Sequence, residues 1–540
     1  MLKKLSFRAS YFLIILILFH LIGNIVWIKL NNTPPAWDQA AHTSKSILFS
    51  HFISSGDVAS FIAGLDTHYG PFVFFLTGSV LAITGISIKI AQLMGTVFFV
   101  GTFIALYLIA RDILHNKWVG VLSVFLFSFG LIIYDYSRLL LLDIPIVCFV
   151  LFGMYFFMKS HALKERIPAL LMFLFIIMAI YTKIQAISYF VFPFLYAFII
   201  SVKKRNRAIF INLVLGVILV TVLFLPWIVY RWSAIVNYFS IVSIPEAGAY
   251  PTNILTFQYW IHYVKLTVNQ IFTAPIFLMI LFMGIMNGWK AKYPWKFFLI
   301  FQTVFIYLSY SILVHKDIRY IFPSVAIFTI IAGIWIESFI QKYRIIGITL
   351  LCIVVILSIG QYTASSFGFP RFLVNHLITV NVPILDDVTI FNTSGWPVVP
   401  YNSQEFPQRA ILRNLDKIVH KGGERVRVAV LVSVPEFNGN NFYLYSLEKK
   451  QDYNLEFGGT DAYVFTSPQA AENYLNTFDY LLFSPDRAYM PYQLDVEAYR
   501  QIGVVIASKM KNHSFELISS YSLPSGKRIF MLKNMQPITP

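Results

Sequence analysis

Residues 11–42 read YFLIILILFHLIGNIVWIKLNNTPPAWDQAAH, an apolar run that ends in two prolines, a tryptophan and a carboxylate. The apolar part, Tyr11–Ile28, exceeds the roughly 7–15 residues of a signal-peptide core, and the residues after it offer no small-residue cleavage site. Three basic residues precede the run. We therefore predict an uncleaved transmembrane helix whose N-terminus lies in the cytoplasm.

The composition of the whole chain agrees with a membrane protein. Of its 540 residues, 57% are hydrophobic and only 13% are charged, and the mean hydropathy is +0.68. A soluble globular protein carries about 25% charged residues. These values exclude a soluble enzyme, a disordered chain, a collagen-like fibre and a disulfide scaffold.

The net charge of +16 is distributed unevenly. Of the 42 basic and 26 acidic side chains, 16 of each lie in residues 361–540, so the entire excess belongs to residues 1–360. Basic loops beside membrane helices explain such an excess, and no nucleic-acid partner is indicated. Cys148 and Cys352 both lie in apolar runs, and neither suggests a disulfide or a metal site.

Basic clusters in short loops mark the cytoplasmic side of a membrane protein, and here they fix the threading of the chain. About eleven crossings result. The ten after the first helix are predicted near 90–110, 118–136, 144–159, 167–181, 185–201, 208–229, 271–288, 297–314, 320–339 and 345–360. The apolar run Pro71–Ile86 is too short for this scheme and is placed as a partial helix on the outer side. In the alternative topology this run crosses fully and another helix is split in two, which gives more crossings, so the predicted count is about 11–13 helices.

Residues 361–540 differ in character from the preceding chain and predict a soluble α/β domain. Helices are expected over 405–421 and 468–477, and strands over 425–434, 480–483 and 527–532. The predicted organisation is thus a transmembrane domain over 1–360, with an outer loop over 31–89, followed by an extracytoplasmic domain.

Polar residues gather at five places, all on the predicted outer side. Charges at membrane depth are costly and tend to mark functional sites or structural pairs. The five places are Trp37-Asp38 with His42; Asp66-Thr67-His68-Tyr69-Gly70-Pro71; Tyr134-Asp135-Tyr136-Ser137-Arg138 with Asp143; Tyr181-Thr182-Lys183; and His315-Lys316-Asp317-Ile318-Arg319-Tyr320.

Each place also has a purely structural interpretation. Asp38 could be a helix-start carboxylate, residues 66–71 an interfacial cap, and Arg138 with Asp143 a structural ion pair. Lys183 could snorkel to the interface, and residues 315–320 could form an interfacial anchor. The outer side nevertheless combines carboxylates that could transfer protons with cations that could bind phosphate. This combination suits an enzyme that binds a lipid phosphate.

In their order and spacing these motifs resemble the polytopic GT-C glycosyltransferases, which use polyprenyl-phosphate sugars. The resemblance covers residues 8–340 and is greatest to the branch of protein O-mannosyltransferases and lipid A aminoarabinose transferases. It rests on Trp37-Asp38, Tyr69-Gly70-Pro71, Ser137-Arg138 with Asp143-Ile144-Pro145, Thr182-Lys183, Pro226-Trp227, and Lys316 to Pro323.

The resemblance implies an inverting hexosyl- or pentosyltransferase whose donor is a sugar on a polyprenyl phosphate. Asp38 matches the family's catalytic base, which activates the acceptor. The donor phosphate would be bound by Lys183, Lys316, Arg319 and Tyr320. Residues that shape the site would be Arg138, Asp143, His42, His68 and Tyr69.

Departures from the family pattern leave the acceptor open as a glycan, a lipid or a protein. Many members have a second acidic residue where this chain has Gln39. No cofactor is firmly indicated, and a divalent metal at Asp38 and His42 stays an open alternative. The competing function is a transporter or flippase of lipid-linked sugars without transferase activity. Either protein would be a multi-pass protein of the cell membrane.

Overall fold

The computed structural model describes residues 2–242, 251, 253–383, 385–395, 397–422, 426–448, 455–458, 467–485 and 496–536. The chain forms two compact units. The first comprises Met1–Lys29, Leu65–Phe75 and Gln92–Pro400, and the second comprises Leu30–Gly64, Leu76–Ala91 and Tyr401–Pro540. Part of the predicted outer loop therefore belongs to the same unit as the C-terminal residues.

The part of the structure before residue 370 is almost entirely helical. Its α-helices are α1 (Leu2–Leu30), α2 (Trp37–Ser55), α3 (Val58–Leu65), α4 (Phe72–Thr84), α5 (Ile88–Leu108), α6 (Lys117–Ser128), α7 (Leu131–Tyr136), α8 (Asp143–Lys159), α9 (Arg166–Ile180), α10 (Val191–Lys203), α11 (Arg207–Val242), α12 (Phe257–Thr267), α13 (Ala274–Met286), α14 (Lys296–Ser311), α15 (Phe322–Lys342) and α16 (Arg344–Phe367). Short 3-10 turns lead into α10 and α15.

Several of these helices can cross a membrane. Within the described residues, six segments are long and apolar enough by themselves: Ala9–Leu30, Ile88–Ile113, Ile184–Lys203, Arg207–Asn237, Ile318–Lys342 and Arg344–Phe367. A seventh results if Phe257–Phe272 and Ala274–Met286, which meet at 110°, count as one broken span. Four shorter apolar helices accompany them, so the chain is a multi-pass membrane protein.

Helix α15 lies at the centre of the first unit, because 89% of the residues in its most apolar stretch are buried. In α11 the corresponding fraction is 17%. Gly333 of α15 allows close approach to α6, since a Cβ there would lie 2.9 Å from the Val119 carbonyl oxygen. Val222 and Val229 of α11 are exposed, as expected of side chains that contact lipid. A hairpin of β1 (Leu377–Val382) and β2 (Asp386–Asn392) also belongs to this unit.

The second unit contains a five-stranded mixed sheet in the order β4-β3-β5-β7-β6. Its strands are β3 (Val426–Val430), β4 (Leu455–Gly458), β5 (Tyr480–Phe483), β6 (Phe515–Ser522) and β7 (Arg528–Asn534). Strand β3 pairs in parallel with β4 and β5, whereas β7 pairs antiparallel with β5 and β6. Its helices after residue 400 are α17 (Gln408–Gly422), α18 (Gly439–Glu448), α19 (Pro468–Leu475) and α20 (Val496–Lys511).

Most of the predicted helices and strands have counterparts among these elements, but only six or seven segments of the described residues are long and apolar enough to cross a membrane, against about eleven predicted crossings. Three further differences concern single elements. The helix predicted over 118–136 is broken, because Phe129 and the extended Gly130 separate α6 from α7. The first part of the helix predicted over 185–201 is a 3-10 turn. Helix α2 was considered only as a short helix starting at the prolines, and its full length was not predicted, because its many hydroxyls lower its hydropathy. These hydroxyls bond to carbonyls four residues earlier, as Ser44 does to Ala40.

Candidate functional site

An ion pair in the first unit joins two of the predicted site residues, Lys183 and Asp143. Lys183 Nζ donates to Asp143 Oδ1 at 2.8 Å, and both side chains are less than a tenth exposed. They meet because α8 begins at Asp143 and the antiparallel α9 ends just before Lys183. Asp143 Oδ2 is also buried and has no hydrogen-bond partner among the described residues. The pair therefore leaves one carboxylate oxygen open beside an ammonium group.

The loop before α4 docks against this pair. The ring centroid of Tyr69 lies 5.5 Å from Lys183 Nζ, and the ring of His68 lies 4.0 Å from that of Tyr69. Phe72 donates its backbone N–H to the Tyr181 carbonyl at 3.0 Å. Gly70 permits this contact, because a Cβ at that position would overlap the Tyr181 backbone.

The N-terminal end of the same loop is held by Arg231, at a kink in α11. Its Nη2 donates to Asp66 Oδ1 at 2.7 Å, and its Nε donates to the Thr67 carbonyl at 3.2 Å. The proline-containing loop is thus fixed at both ends by atoms of the first unit.

A second ion pair, between Arg319 and Asp317, lies just before α15. The Nε and Nη2 atoms of Arg319 both lie 2.6 Å from Asp317 Oδ2. Burial raises the pKa of Asp317, but Arg319 and its hydrogen bonds, with a smaller contribution from Lys183, hold that pKa below its usual range. Tyr136 interacts electrostatically with Arg319, Asp317 and Asp143. Asp135 acts on Tyr136 as well, and Lys183 acts on Asp317, so the two ion pairs influence one another electrostatically. We call the pairs Lys183–Asp143 and Arg319–Asp317 the charged cluster.

The other two predicted phosphate ligands are held by protein groups. Lys316 is fully buried; its Nζ donates to the Ser311 carbonyl and lies 3.5 Å from the ring centroid of Tyr259. Desolvation lowers the pKa of Lys316 to about 8. The Tyr320 carbonyl accepts a hydrogen bond from the Tyr189 hydroxyl at 2.9 Å. The ring centroid of Tyr320 lies 5.6 Å from that of Tyr310.

Arg138 forms a structural pair, but its partner is Asp135 and not Asp143. The fully buried guanidinium donates to Asp135 at 2.8 Å, to Ser366 Oγ at 2.9 Å and to the Val399 carbonyl at 3.1 Å. It also lies 4.1 Å from the ring centroid of Trp27. The i,i+3 spacing within one turn explains the choice of Asp135, and Asp143 is already paired with Lys183.

Asp38 and His42 belong to the second unit. Asp38 is half-buried in the first turn of α2, where the helix dipole favours an ionised carboxylate. His42 is buried one turn further along the same face, as the i,i+4 spacing predicts. Among the described residues, no group of three or more His, Cys, Asp or Glu side chains could hold a metal ion.

The structure thus brings Asp143, Lys183 and Tyr69 together, and it pairs Arg138 with Asp135 instead of Asp143. Asp317 and Asp66 were noted in the polar places but had no predicted role in the site, although both are ion-paired to arginines in the structure. A carboxylate two residues from Arg319 was a visible signal for the first pair. No local signal could have indicated the second, because Asp66 and Arg231 are 165 residues apart.

Comparisons with known proteins agree with this architecture. Residues 68–230 match the family model described as dolichyl-phosphate-mannose-protein mannosyltransferase. The fold is similar to the crystal structure of ArnT from Cupriavidus metallidurans in the apo state, with a TM-score of 0.60 and 13% identity over 97% of this chain and 98% of that one.

ArnT from the same organism bound to undecaprenyl phosphate matches with a TM-score of 0.59 and 13% identity, over 98% of each chain. A search of curated protein sequences gave no match. The likeness to the two solved structures extends over nearly the whole chain, including the C-terminal residues. The chain is thus a multi-pass membrane protein with a fold similar to that of ArnT, and its residues 68–230 are similar to dolichyl-phosphate-mannose-protein mannosyltransferases.

Proposed function

We propose that this protein is a glycosyltransferase that moves a sugar from a polyprenyl-phosphate donor to an acceptor on the outer face of the membrane. The observation that carries the proposal is the charged cluster of Lys183, Asp143, Arg319 and Asp317. Two of these residues lie in the segment that matches the mannosyltransferase family. An undecaprenyl phosphate bound to ArnT, a protein of similar fold, supports a polyprenyl-phosphate donor.

The cluster suits the phosphate of a departing lipid. Lysine and arginine bind phosphate oxygens through charge-assisted hydrogen bonds, and arginine does so with a planar fork. Their carboxylate partners hold both cations in defined positions, so that little reorganisation is needed when negative charge develops. Lys183 and Arg319 are therefore the proposed phosphate ligands, with Lys316 and Tyr320 as further candidates.

The transfer step would be an in-line displacement at the anomeric carbon. The acceptor oxygen forms the new bond to that carbon while the bond to the phosphate oxygen breaks, and its electron pair stays on the lipid phosphate. Asp38 would take the acceptor proton, and inversion of the anomeric configuration follows from the single displacement. His42, His68, Tyr69, Arg138 and Asp143 would shape the site.

The proposed orientation places the N-terminus in the cytoplasm and residues 361–540 outside it. Its support is the excess of basic residues in the loops opposite the proposed active face. Residues 1–360 would then be the transferase domain, with residues 31–89 and the C-terminal domain on the acceptor side of the cell membrane.

A transfer assay tests the proposal directly. The purified full-length protein is incubated with radiolabelled undecaprenyl-phosphate sugars and a membrane extract, and labelled products are separated and identified. We expect a labelled acceptor with the wild type and none with Asp38→Asn, provided that this variant retains a normal melting temperature or binds the donor lipid. We also expect none with Lys183→Met/Asp143→Leu, in which both members of the buried ion pair are replaced so that no uncompensated charge destabilises the protein. Movement of the donor across vesicle membranes without any labelled acceptor would support the flippase alternative and overturn the transferase.

A further inference from the structure

The second unit contains a polar turn, Asn438-Gly439-Asn440-Asn441, at the start of α18. Asn438 and Asn441 are almost fully buried. They bond reciprocally: the Asn438 N–H donates to Asn441 Oδ1 at 2.9 Å, and the Asn441 N–H donates to Asn438 Oδ1 at 3.2 Å. Asn438 Nδ2 further donates to the Val434 carbonyl at 3.0 Å. The turn is therefore rigidly built within the C-terminal part of the chain.

This turn bonds to the backbone on both sides of Ala36, at the start of the helix that carries Asp38. Asn441 Nδ2 donates to the Pro35 carbonyl, and Asn440 Nδ2 donates to the Trp37 carbonyl at 3.3 Å. Trp37 in turn donates its indole N–H to Ser433 Oγ at 3.1 Å. Three side-chain hydrogen bonds thus join residues 433–441 to Pro35 and Trp37, which lie on either side of the helix cap Ala36.

The residues before Pro35 also bond to the C-terminal part of the chain, at Asn402 and Ser403. The Asn32 N–H donates to the Asn402 carbonyl at 2.7 Å, and Asn32 Nδ2 donates to the Ser403 carbonyl at 2.8 Å. The Asn402 N–H donates to Asn31 Oδ1 at 3.0 Å. The segment that leads into α2 is therefore bound along its length rather than at one point.

The chemistry of the segment explains why it needs these partners. Pro34 and Pro35 provide no N–H donors, and Ala36 provides no side-chain cap for α2. Pro35 is buried, so its carbonyl requires a donor from elsewhere. The side-chain amide of Asn441 can accept from Asn438 through its oxygen and donate to Pro35 through its nitrogen at the same time.

We propose that the C-terminal residues 433–441 position the Asp38 turn for catalysis, with Asn441 as the principal positioning residue. The proposal rests on the proposed function, because Asp38 has its catalytic role only there. It gives the C-terminal domain a specific task, which is to fix where the base of the reaction lies. Asn441 acts through Asp38 and itself takes no part in the chemistry.

The isosteric variant Asn441→Asp isolates the decisive hydrogen bond. It keeps the oxygen that accepts from Asn438 but replaces the donor to Pro35 by a second acceptor. Asn441→Ala removes both bonds. The matched control is Asn414→Ala, since Asn414 is an exposed amide of the same unit whose 2.7 Å bond is to the Tyr521 hydroxyl.

The first measurement is hydrogen exchange by mass spectrometry on the full-length protein in lipid nanodiscs. With Asn441→Asp we expect exchange in residues 31–42 to accelerate about tenfold, the result of losing one buried bond. Exchange in residues 467–485 should match the wild type, and Asn414→Ala should leave both regions unchanged. Unchanged exchange in residues 31–42, or equal acceleration in both regions, would overturn the proposal.

The second measurement is the steady-state kinetics of sugar transfer. A misplaced base slows the chemical step but leaves donor binding intact, so Asn441→Asp should lower kcat about tenfold while the donor KM stays within about twofold. A rise in KM with unchanged kcat would contradict a positioning role. If no undecaprenyl-phosphate sugar is transferred by the wild type, the proposed function fails, whereas the exchange result still decides whether residues 433–441 fix the turn.

Discussion

Lys183 donates a 2.8 Å hydrogen bond to Asp143, and neither side chain is substantially exposed to solvent. The two residues come from the end of one helix and the start of its antiparallel neighbour. A buried ion pair of this kind contributes little net stability, but removal of one partner leaves an uncompensated charge. The pair can therefore be examined for stability and for function separately.

Lys183→Met should destabilise the protein strongly, because the Asp143 carboxylate stays buried without its counter-ion. The expected loss is about 3–5 kcal/mol in the free energy of unfolding. The double variant Lys183→Met/Asp143→Leu should recover most of this loss but no transfer activity. Denaturant unfolding in detergent, with the transfer assay alongside, measures both. If Lys183→Met and Lys183→Met/Asp143→Leu have the same free energy of unfolding, Asp143 does not depend on Lys183 as its counter-ion, and the prediction is contradicted.

Arg319 should contribute to donor binding because its planar guanidinium can donate two hydrogen bonds to the donor phosphate. Arg319→Ala is expected to raise the donor KM about tenfold, corresponding to one charge-assisted bond. Arg319→Lys should restore little of the affinity, since a lysine cannot bond bidentately to Asp317 or to a phosphate. The donor KM from initial rates is the measurement. A variant Arg319→Lys that behaves as the wild type would argue that only the charge matters.

The general architecture could be predicted from the sequence because long apolar runs and basic loops are local signals. Helices α8 and α9 lie within one residue of their predicted bounds at each end, and β5 coincides with the predicted 480–483. The full length of helix α2 was not predicted, because hydropathy does not take into account that its hydroxyl groups bond to carbonyls within the helix.

The candidate site was predictable by residue type but not by partner. The isolation of Lys183 among apolar residues indicated that it needed an anion, and the structure provides Asp143. An ion pair of Arg138 with Asp143 was one interpretation of the motif, but Asp135 is the partner in the structure, and Ser366 and Val399 accept the other bonds of Arg138. Contacts between residues more than 200 positions apart depend on tertiary packing, which no motif in a single sequence encodes.

Lys316 should make stability depend on pH. Desolvation lowers its pKa to about 8 from the ordinary 10.5. Between these two pH values the unfolded chain holds a proton that the folded chain has lost, so the free energy of unfolding rises with pH. The melting temperature of the wild type should therefore increase relative to Lys316→Met from pH 7 to pH 10. The exposed Lys290, changed to Met, is the control, and a constant difference between wild type and Lys316→Met would contradict the assignment.

Gly70 should be intolerant of any side chain. A Cβ there would overlap the backbone of Tyr181, which cannot move aside as the end of a flexible side chain could. Gly70→Ala must displace the loop, break the bond from the Phe72 N–H to the Tyr181 carbonyl, and draw Tyr69 away from Lys183. The expected loss of stability is about 1–3 kcal/mol, as for other overpacked sites.

Transfer activity should fall further in Gly70→Ala than the loss of stability explains, because the displaced loop carries two residues of the proposed site, His68 and Tyr69. The matched control is Gly360→Ala, where an added Cβ would make only an ordinary contact at 3.4 Å with Leu373. Both variants are compared by denaturant unfolding and by the transfer rate at a temperature where each remains folded. If Gly70→Ala equals Gly360→Ala in both measurements, the loop before α4 is not held against Tyr181 as described, and Tyr69 loses its place beside Lys183.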